Sequence, residues 1–119
     1  MKKKTCYLFI FDGFADHEIS MATTEIRRRN EYQLKTIAIT KDPVISLSGL
    51  TIIPDLDFYP EVDLFDIDGE NTAMLILPGT NDYIEPLVNH CYMHCIPVVH
   101  SHELSRTVEL RTSHLEPIL

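Results

Sequence analysis

Three short stretches carry most of the side chains able to do chemistry: Asp12-Gly13-Phe14-Ala15-Asp16-His17-Glu18, Pro78-Gly79-Thr80-Asn81-Asp82 and Val99-His100-Ser101-His102-Glu103. Each follows an apolar run. In an open parallel sheet such positions lie outside the carboxyl ends of the strands, where loops and helix N-termini converge on a ligand. The thiols are Cys6, Cys91 and Cys95, an odd number without framework spacing, which predicts free cysteines in a reducing compartment. Cys6 falls inside a strand and reads as a small core hydrophobe. His90, Cys91, His94, Cys95, His100 and His102 fall within thirteen residues, and His90 with His94, or Cys91 with Cys95, share a helical face. Zinc is therefore an alternative reading. A strand between the two groups would hold them apart by much of a domain's thickness, so scattered surface histidines are preferred, with no metal ligand assigned and no cofactor expected.

The elements that must position these residues are legible in the hydrophobic pattern. Thr5 to Phe11 is a continuous apolar and aromatic run, as expected for a strand buried on both faces. Asp16 reads as the N-cap of a helix to about Arg29, with Ile19, Ala22 and Ile26 at helical spacing, three arginines at its negative end and Asn30 closing it. Gln33 to Thr40 reads as a second strand, broken by Lys41-Asp42-Pro43, and Val44 to Pro54 as a hairpin around Ser48-Gly49. Asp55 to Glu70, with seven carboxylates, matches no EF-hand spacing and reads as a solvated surface loop. Thr72 to Leu77 is a further buried-type strand, Asp82 a candidate cap for a helix towards Cys95, and Ile96 to Val99 a fourth strand. Another helix is expected near 103–112. The alternation predicts an α/β domain, a flavodoxin-like three-layer sandwich with a mainly parallel sheet.

With 119 residues, 45% of them hydrophobic, the chain can bury one core, so residues 1–119 are read as a single domain. The formal charge is -8, and no lysine or arginine occurs between Asp42 and Glu103. Such a surface repels phosphate, which argues against nucleic acid and anionic membranes as partners. The basic run Lys2-Lys3-Lys4 leads into a strand rather than a signal core, and no apolar stretch is long enough to span a bilayer, so a cytoplasmic location is expected.

The order strand, D-G-F-A-D-H-E, helix, and later L-I-L-P-G-T-N-D resembles the ThiJ/PfpI family, within the class I glutamine amidotransferase-like superfamily. The resemblance runs from about Lys4 to Pro97 and corresponds to the amino-terminal part of such a domain. It implies that Glu18 is the acidic residue that hydrogen-bonds the family's nucleophilic cysteine, and that Gly79 and Thr80 form the turn whose amides make an oxyanion hole. Thr80 departs from the family's second glycine. The strand Ile96-Pro97-Val98-Val99 resembles the one leading to the nucleophile elbow, but counting without gaps places His102 where the cysteine should be, with bulky Glu103 and Leu104 after it. A histidine there supplies no thiolate. Cys95, the alternative thiol, lies seven positions too early.

The expectation is thus a ThiJ/PfpI-like domain that keeps the acid and the oxyanion turn but lacks the elbow cysteine, a catalytically impaired binding or vestigial module. The alternative is a thiol-dependent hydrolase, deglycase or glyoxalase acting on small carbonyl or acyl compounds. The domain reads as shortened relative to the family, through native divergence or an altered reading frame near its end. Apolar surface left by the shortening would then be covered by a second copy, giving a homodimer.

Overall fold

The computed structural model describes residues 3–58, 67–79 and 84–100. Strand β1 (Lys4–Phe9) leads into helix α1 (Asp16–Arg28), then strand β2 (Tyr32–Ala38). A hairpin of β3 (Val44–Ile45) and β4 (Thr51–Ile52) follows, and then β5 (Leu56–Asp57), β6 (Thr72–Leu77), α2 (Glu85–Met93) and β7 (Val98–His100). Five strands form one sheet in the order β5-β2-β1-β6-β7, with every neighbouring pair parallel. This is the expected α/β flavodoxin-like arrangement, with one more sheet strand than the sequence suggested.

The period-2 alternation of strand side chains explains the three layers. From β1 and the residue after it, Cys6, Leu8 and Ile10 turn to one face, where Ile19, Ala22 and Ile26 of α1 cover them. Tyr7 and Phe9 turn to the other face and pack with Leu75 and Leu77 of β6 and Leu87 and Cys91 of α2. The chain steps from β1 to β2 in one direction and from β6 to β7 in the other. Right-handed crossovers taken in opposite directions put their helices on opposite faces, as observed for α1 and α2. β1 is buried from Thr5 onward, whereas β2 is half-buried to exposed over its first part and β7 is half-buried throughout.

Two local readings are corrected by the packing. The stretch from Asp55 is not all loop, because Leu56 and Asp57 pair with Ile37 and Ala38 of β2. The Asp55 carboxylate accepts from the backbone N–H and the hydroxyl of Thr36 at 2.8 and 3.2 Å, and its own N–H donates to the Thr36 hydroxyl at 2.9 Å. An acidic residue here, although exposed, thus caps an N–H of β2. Residues 59–66 of the same stretch lie outside the described residues.

Asp16 is likewise not the N-cap. Ala15 occupies that position with no side-chain cap, and Asp16 is the first residue inside the helix. Its carboxylate instead accepts from the Ser46 hydroxyl at 2.8 Å, from the Ser48 N–H at 3.3 Å and from the Ser48 hydroxyl. Together with Gly13 N–H to Ile45 O at 2.8 Å and Leu47 N–H to Phe14 O at 2.9 Å, these bonds fasten the β3–β4 hairpin to the β1–α1 loop. Gly13 turns the chain there with φ of 84°, a conformation costly for other residues. The C-terminus of α1 behaves as read, with Asn30 in the left-handed region at φ of 55°.

The hydrogen bonds from Ser48, and then from Ser46, hold the Asp16 carboxyl below its ordinary value of 3.8. A depressed folded-state value means the clamp contributes fully above the unfolded value and is lost as pH falls through the folded one. Asp16→Ala should therefore lower the urea midpoint at neutral pH, and the gap between variant and parent should close progressively below pH 3.8. A gap that stays constant into acid would mean that the carboxylate does not hold the hairpin.

Candidate functional site

Strand order fixes where a site can form. β2 and β5 lie on one side of β1, and β6 and β7 on the other. The connections leaving β1 and β6 therefore diverge, opening a crevice at their carboxyl ends, the place where open α/β sheets bind ligands. The loop after β1 carries Asp12 to Glu18, and the turn after β6 carries Pro78 and Gly79. The fold thus sets the first stretch, and Pro78 and Gly79 of the second, at the ends of adjacent strands. The third begins inside β7 with Val99 and His100, whose partners in β6 are Ile76 and Leu77, and its residues 101–103 lie outside the described residues.

Glu18 sits in the first turn of α1 beside Asp16, where the helix dipole favours a carboxylate. Its side chain is exposed, and its N–H bonds to Ala15 O at 3.1 Å. Gly79 has φ of 149°, and a Cβ added to it would come within 2.9 Å of the Phe11 ring. Only a residue without a side chain lets the turn lie against this ring.

Phe11 is the residue the sequence reading missed, having been absorbed into the first strand. Its ring contacts Phe9 and Phe14, with centroids 5.5 and 6.5 Å away, and it packs on the cores of both faces. It lies just beyond the carboxyl end of β1, against the turn that follows β6. The available signal was position: a large aromatic residue immediately before the Asp-Gly break falls at a strand's carboxyl end, not in its buried middle.

The cysteines lie elsewhere. Cys6 and Cys91 are fully buried, and burial pushes each thiol up to about 11. A thiol so placed is seldom a thiolate. Cys95 is exposed, in the turn between α2 and β7, with φ of 58°. Pro97 O accepts from Leu75 N–H at 2.8 Å, so Pro97 is level with a residue four positions before Gly79. That is roughly 13 Å of strand at about 3.3 Å per residue, and Cys95 lies beyond it, towards the amino ends of the strands.

His90 and His94 stack with ring centroids 4.2 Å apart, and the Nε2 atom of His90 is 2.7 Å from Ile67 O. His100 is separated from them by β7. Among the described residues no three potential ligands form a metal-binding group. Thr80, Asp82 and His102 lie outside the described residues, as does the helix expected near 103–112.

No known family profile and no curated protein matches this sequence. Solved structures do match. A DJ-1 superfamily protein from Agrobacterium tumefaciens superposes with a TM-score of 0.68 at 19% identity, over 82% of this chain and 52% of that one. A ThiJ/PfpI family protein from Bacillus anthracis gives 0.60 at 20%, over 84% and 51%. An AraC family transcriptional regulator from Pseudomonas putida gives 0.58 at 16%, over 92% and 74%. At these identities the likeness is one of fold. The chain has a partial ThiJ/PfpI-like fold and spans about half the length of the first two structures. No helix among the described residues is long and apolar enough to cross a membrane.

The contact between Gly79 and Phe11 has a measurable consequence. Gly79→Ala should destabilise by about 1–3 kcal/mol, combining backbone strain with the clash. Phe11→Leu in the same chain should relieve part of the loss, so that a double-mutant cycle in urea shows favourable coupling. An additive cycle would place the ring away from the turn.

Proposed function

We propose that this chain is a ThiJ/PfpI-like module that binds small carbonyl or acyl compounds at the carboxyl ends of β1 and β6 without performing the thiol chemistry of the family. The observation that supports this most is the separation of parts. Glu18 and the Gly79 turn share the switch-point end of the sheet, while Cys6 and Cys91 are buried and Cys95 belongs to the opposite end. An amide-lined turn can hold a polarised carbonyl oxygen, and a carboxylate at the same end of the sheet can accept from a ligand N–H or O–H, but neither supplies a thiolate. His102, at the nucleophile position of the ungapped reading, supplies no thiolate. A similar fold also occurs in an AraC family transcriptional regulator, which favours binding over turnover as a sufficient role for it.

Methylglyoxal consumption by the purified chain should equal the buffer rate, with or without added reductant. Removing the nucleophile leaves only a small residue of rate enhancement from binding groups. Thiol-dependent turnover that disappears in Glu18→Ala or Cys95→Ser would support the alternative, a working hydrolase, deglycase or glyoxalase.

The same reading includes a homodimer. Ile45, Leu47, Leu50 and Ile53 on and beside the hairpin are 53 to 72% exposed, a density of apolar side chains that favours a protein partner. A two-fold contact uses the patch twice and closes without forming fibres. Sedimentation should show a concentration-dependent dimer that Leu47→Lys converts to monomer. A parent chain that remains monomeric at every concentration would exclude it.

A further inference from the structure

On the other side of β1 from Gly79, the carboxyl ends of β1 and β2 border an open cleft of ≈ 350 Å³. That volume falls within the range of small-molecule sites. Its walls are apolar: Ile10 and Phe11 from the end of β1, Ala38 and Ile39 from the end of β2, and Pro43 and Val44 from the hairpin's entry. Its polar groups are Asp12, Thr40 and Asp42. Asp12 uses one oxygen to accept the Ile45 N–H at 3.0 Å, and Asp42 accepts only from the Thr40 hydroxyl at 3.3 Å. Neither carboxylate is ion-paired with a lysine, arginine or histidine of the described residues.

The cleft therefore combines an aliphatic and aromatic interior with two rim carboxylates that have acceptor capacity to spare and no cation of their own. An anion meets repulsion there, and a neutral apolar molecule leaves the carboxylates unused. A cation on a short hydrocarbon stem satisfies both parts, with its stem against Ile10, Ala38 and Val44 and its charge at Asp12 and Asp42. Phe11, which lines the cleft, adds an aromatic group to its apolar wall. From this complementarity we infer that the β1–β2 cleft binds small organic cations, of the class of alkylammonium compounds.

The inference does not rest on the carbonyl site: the two share only Phe11, and the charged and polar groups invoked here, Asp12, Thr40 and Asp42, are not used there. Backbone amide NMR of the full chain, titrated with pentylammonium chloride, should show saturable shifts at Ile39, Thr40 and Val44. Pentanoate should leave these amides unmoved, pentanol should bind more weakly, and added salt should weaken the ammonium. Asp42→Asn is the variant of choice because Asp42 holds only a neighbouring hydroxyl, whereas Asp12 also holds the hairpin. It should weaken binding about threefold, as expected for loss of one exposed charge pair, and leave the rest of the spectrum unchanged. Absence of saturation at the cleft, equal binding of pentanol or pentanoate, or an unaltered affinity in Asp42→Asn would overturn the assignment. Tighter binding of calcium than of pentylammonium at the same amides would also overturn it, in favour of a metal site.

Discussion

A strand with large apolar side chains on both of its faces has to be covered twice and paired on both edges, and β1 imposes that requirement on everything around it. Cys6, Leu8 and Ile10 demand a helix on one face, while Tyr7 and Phe9 demand one on the other. Each large side chain so buried contributes roughly 1.5–3 kcal/mol relative to leaving it in water. The backbone groups of β1 must be paired as well, and β2 and β6 do this in parallel register. Once α1 returns the chain to one edge of β1 and the later segment comes back to the other, the direction of winding reverses at this strand.

The candidate site follows from that reversal. Connections that leave adjacent strands in opposite directions cannot fill the space between them, so the carboxyl ends of β1 and β6 form a crevice. Near these ends lie a few residues beyond the strands: Phe11, Gly79 pressed against its ring, and Glu18 in the first turn of α1. The hairpin borders the same loop through the Asp16 clamp. The parallel sheet also decides the fate of the thiols, because a residue before β7 is at the far end from one after β6.

Period and burial made most of this visible in the sequence. The run Thr72 to Leu77 coincides with β6, and Ile19, Ala22 and Ile26 are the buried face of α1. What escaped depended on partners distant in the chain. Asp16 looks like a cap until Ser46 and Ser48 compete for its carboxylate, thirty and thirty-two residues away. Asp55-Leu56-Asp57 looks like a solvated loop until Thr36 offers it an edge to bind. Phe11 reads as core because nothing local distinguishes the last aromatic of a strand from those before it. The resemblance carried by D-G-F-A-D-H-E and L-I-L-P-G-T-N-D reached the fold, and the solved structures bear that out. A fold hosts many activities, so likeness of fold does not by itself carry a role to Glu18 or Gly79.

The central claim is that no thiol of this chain reaches the switch-point crevice, and alkylation of the native protein followed by mass spectrometry addresses it most directly. Cys95 should be the one labelled cysteine, at a rate that Glu18→Gln does not change, with Cys6 and Cys91 reacting only once the chain is unfolded. Rapid native labelling of Cys6 or Cys91, or a Cys95 rate that depends on Glu18, would contradict the account, because it would put a working thiol beside the acid.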